Sequence, residues 1–89
     1  MTWDVTFSSA AIRDLGRLPA RVLPGVVEFV DGALRENPWR VGKEMRAEFA
    51  GIHSARRGAY RVLYEIDPER QSVRVVRVGH RATVYRPMR

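Results

Sequence analysis

The chain has 89 residues, no cysteine and a formal charge of +6, with 45% of its residues apolar. That length suits one domain with one small core. The absence of cysteine excludes a disulfide scaffold or a thiolate metal site and fits a cytoplasmic location, while the short apolar runs leave nothing to span a membrane and the first segment, Met-Thr-Trp-Asp-Val-Thr, shows no signal-peptide pattern.

Residues 2–7 alternate, Trp3, Val5 and Phe7 against Thr2, Asp4 and Thr6, as a strand with one buried face does. Ser8 and Ser9 offer an N-cap to a helix that runs to about Leu18 and stops at Pro19. Its expected apolar stripe is Ala11, Ile12, Leu15 and Leu18, with Arg13, Asp14 and Arg17 facing water. A second helix is expected from Ala20 to Glu36. It carries Val22, Leu23, Val26, Val27, Phe29, Val30, Ala33 and Leu34 on a broad face and ends at Asn37-Pro38. Residues 39–51 read mainly as loop, with room for a short extended or helical piece at Lys43–Phe49.

Three strands are expected next, at 52–57, 59–66 and 73–79. Gly58 turns the first pair, and Asp67-Pro68-Glu69-Arg70-Gln71-Ser72 turns the second. In the middle strand Tyr60, Val62, Tyr64 and Ile66 face the core, while Ala59, Arg61, Leu63 and Glu65 face outward. The expected fold is α+β: an N-terminal strand, a helical hairpin and a three-stranded antiparallel meander. Together these make a four-stranded sheet with two helices on one face.

The charge is uneven. Residues 1–38 hold four basic and five acidic side chains, whereas residues 39–89 hold twelve and five, and all the basic residues but Lys43 are arginine. A GC-rich genome explains the excess of arginine over lysine better than it explains the asymmetry. A positive field of this kind suits nucleic acid, an anionic membrane surface or an acidic protein. No metal-ligand motif, glycine-rich phosphate loop or cysteine nucleophile is present. What remains is guanidinium, imidazole and phenol: Arg56, Arg57, Arg61, Arg77, His80, Arg81, Tyr85 and Arg86, with His53 nearby in sequence. RNA brings its own nucleophile, the 2′-hydroxyl. A protein that cleaves it must take that proton, protonate the departing 5′-oxygen and neutralise the phosphorane oxygens. Arginine suits the last task and histidine either proton transfer. No cofactor is needed.

The segments Arg-Gly-Ala-Tyr-Arg-Val-Leu-Tyr-Glu-Ile (57–66), Val-Gly-His-Arg (78–81) and Val-Tyr-Arg (84–86) resemble the RelE/ParE superfamily of type II toxin–antitoxin toxins. Ala-Ile-Arg-Asp-Leu-Gly-Arg-Leu-Pro and Val-Gly-Lys before the sheet extend the resemblance over nearly the whole chain. The similarity to RelE-type members implies an mRNA endoribonuclease acting on the ribosome without metal, silenced by an antitoxin. It implies catalytic roles for Arg61 at the scissile phosphate, Arg81 at the transition state or leaving group, Tyr85 as general base and His80 beside them. Arg56, Arg57, Arg77, His53 and Arg86 are expected to bind RNA. The chain departs from the RelE pattern where two lysines are common, having Ile52 and Ser54 instead, and its tail is short. The ParE-like alternative, an inhibitor of DNA gyrase, needs no acid or base; a non-catalytic RNA-binding relative is the third reading.

Overall fold

The computed structural model describes residues 2–85. In chain order it holds β1 (Asp4–Phe7), α1 (Ser9–Arg17), α2 (Leu23–Phe29) continued by a π-helical turn (Val30–Leu34), β2 (Lys43–Glu44), a 3-10 turn (Ala47–Phe49), β3 (His53–Arg57), β4 (Tyr60–Asp67) and β5 (Ser72–His80). The α+β class stands as expected, but the sheet has five strands, in the order β1-β5-β4-β3-β2. The extra one, β2, comes from the segment read mainly as loop, and it pairs antiparallel with β3.

β1 lies parallel to β5, with Val5 beside Val73 and Phe7 beside Val75. A parallel neighbour needs a long crossover, and α1, α2 and the meander supply it. Ser8 fixes where the crossover begins. Its Oγ accepts the Ala11 N–H at 3.0 Å as an N-cap and donates to the Val76 carbonyl at 2.8 Å, so one hydroxyl starts the helix and ties it to β5. α2 begins three residues later than expected. Ala20–Val22 form a turn held by Pro19, and Pro24 falls in the first helical turn, where its missing N–H leaves nothing unpaired. The π turn that follows brings Phe29 and Leu34, five residues apart, nearer to one face; both are buried against the sheet.

The main core lies between helices and sheet. Ala11, Val26, Phe29 and Leu34 meet Ala55, Val62, Tyr64, Val73, Val75 and Val78 there. With the helices on one face, the other, outward face would be open, but it is partly covered. Leu63, Val76 and Val84 form a second buried cluster there, flanked by Met45, Ile52 and Tyr85. The shift in alternation has a cause. A β-bulge interrupts the β4–β5 ladder between Leu63 and Tyr64, which pair with Arg77 and Val75 and leave Val76 as the extra residue. Two expectations for α1 fail. Ile12 is exposed, whereas Asp14 is buried and accepts hydrogen bonds from β5.

Tyr64 is the largest fully buried side chain. Its hydroxyl donates to the Pro38 carbonyl at 2.7 Å. Gly42 leaves the room it needs, since a Cβ there would stand 2.5 Å from the phenol oxygen and 2.8 Å from the Ser54 carbonyl oxygen. Burial pushes the Tyr64 phenol up to about 12. The folded state therefore holds this proton more tightly than the unfolded chain, whose phenol titrates near ~10. The resulting stability is complete below pH ~10 and is lost as pH rises towards 12, by about 1.4 kcal/mol per pH unit in that window. Urea midpoints measured from pH 9 to 12 should fall more steeply for the parent than for Tyr64→Phe. Parallel curves would disprove the assignment. At neutral pH the variant should lose about 1 kcal/mol through the unpaired Pro38 carbonyl.

Candidate nucleic-acid interface

Strand pairing alone brings several of the expected residues together. Arg61 on β4 stands between Arg56 on β3 and Gly79 on β5, and cross-strand partners share a face. The Arg81 N–H donates to the Ala59 carbonyl at 2.8 Å, which extends the ladder one step beyond β5. Alternation from Gly79 then puts Arg81 on the same face. Arg56, Arg61 and Arg81 thus lie on one face at the end of the sheet nearest the β3–β4 turn. Among the described residues no carboxylate comes within 4.0 Å of any of them. Two acids sit at the far end, where Glu65 faces Arg74 at 3.8 Å and Asp67 faces Arg70 at 3.9 Å. Among the described residues, the end nearest the β3–β4 turn therefore holds a guanidinium group with no paired carboxylate.

Arg61 is half-buried, and its Nη1 donates to the Gly58 and Tyr60 carbonyls at 3.0 Å each. These bonds hold the guanidinium against the turn and leave its other N–H groups for an anion. Tyr85 arrives by another route. The chain after β5 makes one tight turn, with Thr83 and Val84 N–H groups both donating to the His80 carbonyl at 2.9 Å. Val84 then packs with Leu63 and Val76, and Tyr85 lies beside them, edge-on to Phe49. Its hydroxyl is 2.9 Å from Ser54 Oγ. Ser54 precedes Arg56 by two residues on the same face, a step of about 7 Å along the strand. The phenol and the three arginines therefore share one surface.

The sheet parts the remaining expected residues from this group. His53 is buried on the helix side, stacked on Tyr64 with ring centroids 5.5 Å apart and edge-on to Trp39 at 5.7 Å. It is not available to RNA on the outward face. Its Nδ1 is without a hydrogen-bond partner among the described residues. Arg57 alternates to the helix side as well, its guanidinium 3.7 Å above the Phe29 ring. His80 pairs with Tyr60, edge-on at 5.4 Å, and so lies behind the sheet from Arg61. Arg77 corrects a further expectation: the bulge sends it to α1, where Nε donates to Asp14 Oδ2 at 2.7 Å and Nη2 to Oδ1 at 3.2 Å. The carboxylate and its hydrogen bonds raise the Arg77 pKa further above its already high ordinary value. Arg86 lies outside the described residues. Tyr60, expected in the core, is only half-buried.

Sequence reasoning missed one residue here. Lys43 pairs with Ser54 and so stands on the outward face beside the Ser54–Tyr85 hydrogen bond. Its signals in the sequence were its being the sole lysine and its place in the Val-Gly-Lys stretch before the sheet. A two-residue strand has too little pattern to reveal which way it points.

A helix pair over one face of a mixed sheet, with a basic end and a tyrosine laid across it, defines a type II toxin of the RelE/ParE superfamily. Residues 5–85 match the family described as ParE toxin of type II toxin-antitoxin system, parDE, and the chain belongs to that family. Toxin RelG of Mycobacterium tuberculosis is 54% identical over 86 residues, which are 97% of this chain and 99% of that protein. Toxin RelE of the same organism is 44% identical over 84 residues, 94% of this chain and 87% of that protein. The crystal structure of the M. tuberculosis toxin–antitoxin complex RelBE2 superposes with a TM-score of 0.87 at 52% identity, covering 92% of this chain and 94% of the other.

Proposed function

We propose that this toxin is a ribosome-dependent mRNA endoribonuclease. The observation that carries the reading is the placement of Arg56, Arg61 and Arg81 on one face with Tyr85, at the end of the sheet opposite the Glu65 and Asp67 ion pairs. In this reading Arg61 and Arg81 grip the scissile phosphate. The 2′-oxygen attacks the adjacent phosphorus while Tyr85 takes its proton, and the bond to the 5′-oxygen breaks. The 5′-oxygen takes a proton from water as it leaves, the hydroxide formed returns Tyr85 to its starting state by accepting the proton the phenol oxygen had taken, and the other product is a 2′,3′-cyclic phosphate. Guanidinium forks stabilise the extra negative charge on the phosphorane, and Lys43 adds charge at the β2 edge. His80, on the other side of the sheet, takes no part in this chemistry.

The partner in this reading is a cognate antitoxin, as the RelBE2 complex supports. Acidic groups and an apolar helix laid over the outward face would cover the arginines and displace the message. The toxin acts as one domain, in the cytoplasm, where translation runs. No helix among the described residues is long and apolar enough to cross a membrane.

The matched family carries the ParE name, which favours testing gyrase inhibition in parallel. After induction, primer extension on a translated message should reveal new 5′ ends within codons, while purified gyrase keeps its supercoiling rate in the presence of the toxin. Stalled gyrase with intact message would transfer the assignment to the ParE-like reading, and neither effect would leave a non-catalytic relative.

A further inference from the structure

The helix side of the same sheet end carries a second basic surface, which the chemistry above does not use. Tyr60 is at its centre, half-buried and edge-on to His80. On one side of Tyr60 opens a cleft of about 500 Å³ that Arg17, His80 and Thr83 help to line, the Asp14–Arg77 ion pair closing it towards α1. On the other side is a cleft of about 390 Å³ bordered by Arg21 and Arg57. Among the described residues Arg17, Arg21 and Arg57 have no carboxylate within 4.0 Å.

His80 is preset as a donor here. Its Nδ1 accepts the Ala82 N–H at 3.1 Å, so the neutral ring carries its proton on Nε2. One imidazole and one phenol ring among spaced guanidiniums match an unpaired nucleotide, which offers a flat base to stack and phosphates on either side. The surface also continues round the turn at Gly58. Arg57 follows Arg56 and Tyr60 precedes Arg61 in sequence, and within each pair the two side chains take opposite faces.

We propose that this strip binds unpaired RNA flanking the scissile phosphate, with one base against Tyr60 and the neighbouring phosphates on Arg17, Arg21 and Arg57. The proposal rests on the nuclease reading for the identity of the strand. In it the message passes over the β3–β4 turn from the outward face to the helix face, and His80 binds substrate without taking part in proton transfer.

The test uses 15N-labelled Arg61→Ala protein, so that the strand stays intact, titrated with an unstructured RNA pentanucleotide. Amide shifts are expected at Tyr60, His80 and Thr83 as well as on the outward face. In the same background Tyr60→Ala should weaken binding about tenfold and Tyr60→Phe by less than about twofold. Arg17→Gln and Arg21→Gln, both at exposed sites, should each lower the slope of log affinity against log salt by about 0.7. These two decide the matter if Tyr60→Ala fails to fold. Shifts confined to the outward face with unchanged salt slopes would overturn the proposal. So would an absence of RNA binding, or a response of the strip to polyglutamate and not to RNA. Toxicity retained by Arg61→Ala would defeat the nuclease reading instead, and the shift map would still report on the strip.

Discussion

Arg61→Ala is expected to lower message cleavage by about 10²–10³-fold and to abolish growth arrest, with the fold intact. The size follows from removing a preorganised donor aimed at charge that develops in the transition state. The small structural cost follows from position. Arg61 is half-exposed, and the two carbonyls it serves, Gly58 and Tyr60, are at a surface turn where water can replace it. Thermal unfolding should shift little, since surface substitutions cost within about 0.5 kcal/mol. Arg61→Lys should recover only part of the activity, because an ammonium keeps the charge but loses the planar fork. The measurement is primer extension from induced cells at matched toxin levels, beside a melting curve of each purified variant. Parent-like cleavage by Arg61→Ala would remove Arg61 from the site. A collapsed melting curve would make its role structural.

Asp14→Ala should produce the largest loss of stability. Asp14 is 6% exposed, and a single carboxylate receives three hydrogen bonds, two from Arg77 and one from the Val78 N–H at 2.9 Å. It thereby closes the edge of β5 that β1 leaves unpaired beyond Val75. Truncation strands a largely buried guanidinium and a backbone donor together, at a cost on the order of 3–5 kcal/mol. For a chain of this size the melting temperature should fall by more than about 10 °C. Asp14→Ala combined with Arg77→Met should recover part of that loss, because no charge is then left without its partner. Chemical denaturation of the four proteins closes the cycle. A single variant within about 1 kcal/mol of the parent would show that the pair contributes little.

Local chemistry made much of this protein legible. The alternation of residues 60–66, the Ser8 cap, the stops at Pro19 and Asn37-Pro38 and the turn at Gly58 each depend on neighbours a few residues apart. The basic second half and the motifs around Arg61, Arg81 and Tyr85 pointed to the superfamily that the comparisons established. Only the tertiary structure decided which side of the sheet each charge occupies. One extra residue in β5 reset the alternation, so Val76 turned outward and Arg77 went to Asp14. A bulge leaves no mark in a run of valines and arginines. The parity of β3 set His53 and Arg57 behind the sheet and Ser54 and Arg56 in front, and that parity depends on its pairing with β4. Asp14 read as a solvent-facing helix residue because its partner is 63 positions away. Short-range pattern thus determined most of the elements, β2 excepted, and short motifs carried the family resemblance, because both are properties of nearby residues. The division of guanidiniums between the two faces arises from long-range pairing, where a one-residue change in register exchanges front for back.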